Sequence, residues 1–185
     1  MKSRAGLALA VLAMGASVSL AQQETTPKPG PEMRRLIDTL AGTWNISEVY
    51  EPSEWAPKGG TGRGQEVFRA GPGGLSLIED YRSTTPTGEL SGLSVTWWDG
   101  KAGGYRAIWC DSTNPGGCVV MSKLATWKGD RFVLGDDFER NGKKVSFREV
   151  LSDITPTSFT QTIYQGESGG EPKRMVTIRA TKSAK

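Results

Sequence analysis

From Thr43 onward, apolar and polar residues alternate with a period of two. Leu75, Leu77, Glu79 and Tyr81 share one phase against Ser76, Ile78, Asp80 and Arg82, and Val145, Phe147, Glu149 and Leu151 share one against Ser146, Arg148 and Val150. This is the pattern of half-buried strands. Turn residues divide the region into about ten strands, at 43–50, 63–69, 75–83, 90–98, 104–110, 118–127, 131–138, 144–152, 158–165 and 173–181. Asp99-Gly100, Lys128-Gly129-Asp130 and Asn141-Gly142 supply the positive φ that tight hairpins require. Sequential hairpins without a second helix predict an all-β fold, an antiparallel up-and-down barrel of about ten strands, because closure leaves no edge unpaired.

One helix precedes the strands. Pro31 suits its first turn, Met33, Leu36, Ile37 and Leu40 form an apolar stripe, and Gly42 ends it just before Trp44. A helix this short is marginal alone, so the stripe predicts a plug packed on one end of the barrel in preference to a partner-binding face. In a meander the connections alternate between ends. Those on the helix side, near 70–74, 99–103, 128–130 and 153–157, are short; those opposite, near 51–62, 84–89, 111–117, 139–143 and 166–172, are longer and rich in Gly, Pro and Ser. The expectation is a closed floor and an open, looped mouth suited to recognition.

The amino terminus changes the setting. A basic start, Lys2 and Arg4, an apolar run from Ala5 to Val18 and the small residues Ser19 and Ala21 compose a secretory signal over 1–21. The run falls short of the roughly 18 to 20 apolar residues that span a bilayer. A polar linker at 22–30 and a barrel domain at 31–182 follow, placing the mature protein in the periplasm or outside the cell. The full chain has 23 basic and 20 acidic residues, and losing Lys2 and Arg4 leaves a charge of about +1. No basic stripe stands out, so nucleic acid is not an expected partner. Asp80, Arg82, Arg106 and Arg148 on the outward phase also argue against a barrel facing lipid.

The chain contains no histidine. That removes His-based triads, His-ligated haem and the usual zinc sites, and acid–base work would fall to carboxylates, tyrosines or lysines. No catalytic residue, metal ligand or cofactor is assigned. Cys110 and Cys118 flank the loop 111–117 at the mouth and are expected to form a disulfide in an oxidising compartment. Tyr105, Trp109 and Asp111 share a strand face that offers an aromatic wall and a carboxylate at the rim, while Trp97-Trp98 must split between faces. Glu48, Glu66, Glu79 and Glu149 each alternate in phase with apolar or aromatic neighbours. Four inward acids would need water, Tyr or Arg partners, or a polar ligand; paired carboxyls also suit acid–base work or a hard metal. The candidate ligand-binding residues are Glu79, Tyr81, Trp97, Tyr105, Trp109, Asp111, Met121, Phe147 and Glu149.

Gly42-Thr43-Trp44 resembles the G-x-W motif that opens lipocalin-type barrels. With Gly74 through Glu79 to Tyr81, Asp99, Tyr105, Trp109, Asp111 and Phe147-Arg148, the chain from Met33 to Ala180 resembles the calycin-like bacterial family called domain of unknown function fifteen seventy-nine. The resemblance implies the barrel and no established activity. It also implies structural roles for Gly42 and Trp44 and that an arginine of the last strand, Arg179, covers Trp44. The sequence thus predicts an exported barrel that binds a small lipophilic or amphipathic molecule in its lumen, as a monomer or dimer. A carboxylate- and tyrosine-dependent isomerase or hydrolase, or an envelope module that binds another protein, are the alternatives.

Overall fold

The computed structural model describes residues 27–140 and 142–184. The leader expected at 1–21, the linker as far as residue 26 and Asn141 of one expected turn lie outside the described residues. Helix α1 spans Pro31–Leu40 and buries Met33, Leu36 and Leu40 of the stripe read from the sequence, with its fourth member, Ile37, partly buried against the same core. Gly42, at a φ of 141°, then swings the chain into the first strand. No described helix is long and apolar enough to cross a membrane.

Eleven antiparallel strands form one sheet. They are β1 Gly42–Tyr50, β2 Gly60–Ala70, β3 Ser76–Thr85, β4 Gly88–Asp99, β5 Gly104–Asp111, β6 Val119–Val120, β7 Thr126–Lys128, β8 Arg131–Arg140, β9 Lys143–Ser152, β10 Ser158–Glu167 and β11 Lys173–Lys182. The order β6-β5-β4-β3-β2-β1-β11-β10-β9-β8-β7 is that of a meander, with first and last strands side by side. The sheet curls so that its two edges, β6 and β7, are consecutive pieces of chain. These two replace the single strand expected at 118–127. The reason is Asp136, 4% exposed on β8, whose Oδ1 accepts the Ser122 N–H at 2.8 Å and the Ser122 hydroxyl. Satisfying a buried carboxyl draws 121–124 out of the ladder. The seam is bridged by the Tyr105–Ala125 pair and by Met121 N–H donating to Ala107 O at 2.9 Å.

The floor is built on Trp44, which is fully buried. Its indole N–H donates to Leu40 O at 2.7 Å, capping a carbonyl at the helix end, and its ring meets Phe159 edge-on at 4.8 Å. The helix is tied down elsewhere by Tyr105 O–H donating to Glu32 O at 2.8 Å and by the Arg35 guanidinium 4.0 Å above Trp127. The expected partner of Trp44 is corrected. Ile178, Ala180 and Lys182 share the inward phase of β11, Trp44 pairs with Lys182, and Arg179 lies opposite Ser47 on the exposed face. Lys182 Nζ therefore occupies the cation site, 4.9 Å from the Trp44 ring.

At the mouth, two expected loops shrink to tight turns because strands β3, β4, β8 and β9 extend further than periodicity suggested. The remaining long mouth connections are 51–59, 112–118 and 168–172. Cys110 and Cys118 are disulfide-bonded across the second of these.

Two stability outcomes are expected. Trp44→Ala should cost about 3–5 kcal/mol in denaturant unfolding, Lys182→Ala about 0.5–1 kcal/mol with measurable coupling to it, and Arg179→Ala less than about 0.5 kcal/mol. Reducing Cys110–Cys118 should lower stability by about 2.5 kcal/mol while the barrel stays folded by circular dichroism.

Candidate functional site

Strand β1 carries Trp44, Ile46, Glu48 and Tyr50 inward, from floor to mouth, and its neighbours set side chains around each of them. Glu48 is 1% exposed and faces Gly62 of β2. A Cβ at Gly62 would lie 2.0 Å from Glu48 Oε2, so glycine is what leaves room for the carboxyl there. Three hydroxyls meet it: Tyr50 O–H at 3.2 Å, Ser83 O–H at 2.6 Å and Tyr81 O–H. Burial, reinforced by Glu48, pushes both phenols far above their ordinary range, so they remain protonated donors.

Glu66 is different. It stands between Trp44 and Tyr81 in the ladder, is 0% exposed, and neither carboxyl oxygen has a hydrogen-bond partner. Burial, then the charges of Glu79, Glu149 and Glu48, push its pKa well above the usual range. Burial acts on its neighbours too. Burial and Glu149 push Glu79 up to about 8, with Ser94 opposing; burial pushes Glu149 up to about 7, against a hydrogen bond from Gln161. The lumen thus holds three carboxyls that retain protons into the neutral pH range. Among the described residues, no three His, Cys, Asp or Glu side chains are placed to hold a metal ion.

An aromatic wall adjoins Glu66 through Tyr81, its ladder partner on β3. Trp109 meets Tyr81 edge-on at 6.0 Å and occupies the space over Gly92, where a Cβ would fall 2.3 Å from its ring. Its indole N–H donates to Asp111 Oδ2 at 2.9 Å, while Asp111 Oδ1 accepts Thr113 N–H at 2.8 Å and Thr113 O–H at 2.6 Å. Burial raises the Asp111 pKa, but these bonds outweigh it and hold it below its ordinary value. Asp111 is thus committed to bracing the lip.

Of the residues singled out in the sequence, Glu79, Tyr81, Trp109, Phe147 and Glu149 share the inward phase of the curled sheet. Met121 packs on the core at the seam. Tyr105 faces inward but low, anchoring α1 and packing on Trp98 at 5.0 Å and Phe132 at 5.2 Å. Trp97 is corrected: Leu77 is buried opposite Thr96, which fixes the even phase of β4 as inward, so Trp98 faces the core and Trp97 faces out beside Ser76 and Arg106. Gln161 and Gln165 of β10, both buried, were overlooked, although they alternate with Phe159 and Ile163 as the glutamates do with their neighbours. The loop 51–59 was also missed as a cover. It has no periodicity, yet it buries Ala56 and packs Trp55 on the core at the mouth.

A family model described as a protein of unknown function (DUF1579) matches residues 28–182. No curated protein matches the chain in sequence. The crystal structure of Rv2717c from M. tuberculosis is similar at a TM-score of 0.56 and 12% identity, over 85% of this chain and 100% of that one. The S-type phycobiliprotein lyase CPES from Guillardia theta is similar at a TM-score of 0.56 and 10% identity, over 82% and 93%. At these identities the likeness is one of fold.

The raised carboxyls carry a sign that can be measured. Folded Glu66, Glu79 and Glu149 keep protons that the unfolded chain releases above a pKa of 4.5, so stability is fullest below that pH and falls as pH rises through about 7 and 8. The melting temperature should therefore drop across this interval. Glu66→Gln should flatten the drop and raise stability at the alkaline end by about 1–3 kcal/mol, read from unfolding at matched pH.

Proposed function

We propose that this chain, which belongs to the DUF1579 family over residues 28–182 and shares its fold with the two solved structures, binds a small amphipathic molecule in its lumen. The observation that carries this reading is Glu66, a fully buried carboxyl without a partner, beside an aromatic wall. An unpartnered buried polar group costs roughly 1–3 kcal/mol, and a donor brought by a ligand removes that cost. Apolar walls with a few convergent polar groups favour a molecule with an apolar body over a bare ion or a sugar. In this reading the leader at 1–21 exports the domain at 31–182, and the bonded Cys110–Cys118 pair is compatible with an oxidising compartment.

A second reading is favoured by one observation. Glu149 and Glu79, at about 7 and about 8, hold protons at values useful to a general base and general acid. An isomerase or hydrolase of a small substrate would use that pair, and Glu79→Gln or Glu149→Gln would then abolish turnover.

The isoprenoid alcohol farnesol should quench part of the tryptophan fluorescence saturably. Trp109→Phe should reduce the quench and weaken binding roughly threefold to tenfold. Glu79→Gln should change affinity only modestly. A linear, non-saturating response across a lipophilic panel would count against the lumen as a binding site.

A further inference from the structure

Beside the loop 51–59, a cleft of about 770 Å³ opens at the mouth between that loop and the ends of β8, β9, β10 and β11. Its volume suits a small organic molecule. Val145, Gln165 and Met175 are all buried and form its base, and strand register puts Val145 and Gln165 in the phase of Phe147 and Glu149, so the lumen lies directly below. Two polar side chains lining the cleft are left without partners. Gln165 is 5% exposed, with both its amide oxygen and its amide nitrogen unbonded, and the buried Ser53 Oγ is unbonded as well.

The charges around the rim select what could meet them. Arg174 pairs with Glu51 at 2.7 Å, Lys143 with Glu167 at 2.6 Å, and Arg140 with Glu54. These pairs occupy all three carboxylates that line the cleft. Lys173 is the lining cation that has no ion pair among the described residues. An ammonium head group would find no uncommitted carboxylate here and one uncompensated lysine. A carboxylate would find that lysine and two donors.

We propose that this cleft seats the head group of the lumen's ligand and that the head group is a carboxylate: Ser53 O–H and Gln165 Nε2–H donate to its oxygens, Lys173 balances its charge, and the largely apolar body, carrying further along the donor that Glu66 lacks, passes Val145 and Met175 into the barrel. The inference rests on the lumen reading and adds to it the charge of the ligand and the side of the mouth it occupies. The lip at Asp111 is not the polar contact, because its oxygens are taken up by Trp109 and Thr113.

The test uses three probes with the same chain, namely dodecanoate, dodecanol and dodecylammonium, titrated into the full barrel at about pH 6.5, where the first remains ionised. Dodecanoate should bind at least about tenfold more tightly than dodecylammonium. Lys173→Gln should weaken dodecanoate about fivefold to tenfold and leave dodecanol unchanged, and Gln165→Leu should weaken dodecanoate by a similar factor and dodecanol by less. Gln165→Leu removes an unpartnered amide, so it should also leave the melting temperature equal or higher, which separates lost binding from lost folding. Equal or tighter binding of dodecylammonium, or dodecanoate affinity unchanged by both substitutions, overturns the head-group assignment while the lumen reading stands. Failure of all three probes to saturate overturns the lumen reading and this inference with it.

Discussion

A carboxyl group removed from water must be neutralised, paired or met by a donor, and Glu66 has no protein partner to meet it. The chemistry of the interior depends on that constraint. Glu66 cannot turn outward, because Trp44 beside it in the ladder is locked by the helix carbonyl of Leu40, and a slip of one residue would bring every inward side chain of β1 to the surface. The packing that closes the floor thus also holds the carboxyl in place. Keeping its proton is the means of doing so at low pH, and a bound donor is a means that also works at higher pH.

The charges along the barrel axis are sorted to match. Lys182 sits against Trp44 at the floor, and Arg140, Lys143, Lys173 and Arg174 gather at the mouth. Between these levels, the inward phase of the described strands carries Glu48, Glu66, Glu79 and Glu149, besides the Asp136 already bonded to Ser122, and no lysine or arginine. Glu48 is satisfied by three hydroxyls drawn from β1 and β3. Of the other three glutamates, burial raises each, and the charges of neighbouring carboxyls raise Glu66 and Glu79 further. An internal cation would have settled the cluster as ordinary buried ion pairs; without one at this level, protonation is what neutralises these carboxyls.

Much of this was legible in the sequence, and the misses have physical reasons. The four glutamates announce their inward phase because each alternates with unambiguous apolar neighbours, and a period of two survives small errors in strand ends. Trp97 and Trp98 do not, since Val95 and Thr96 give neither phase an advantage; only the pairing of Leu77 with Thr96 decides it. Arg179 was placed by analogy with other barrels, whereas β11 runs to Lys182 and the register across β1 sets that lysine opposite Trp44. The break between β6 and β7 depends on Asp136, a tertiary contact from a strand later in the chain. The mouth cleft was hidden for a similar reason. Ser53 lies in an aperiodic loop, and its nearness to Gln165 comes from the closure of the barrel.

The central claim, that the lumen is built to hold a small molecule, is tested most directly by native mass spectrometry of the protein isolated from its own cells without detergent. The account predicts a discrete added mass of about the size a single small-molecule pocket accommodates, a few hundred daltons, released when the barrel is unfolded. The bare polypeptide mass in every preparation would contradict it.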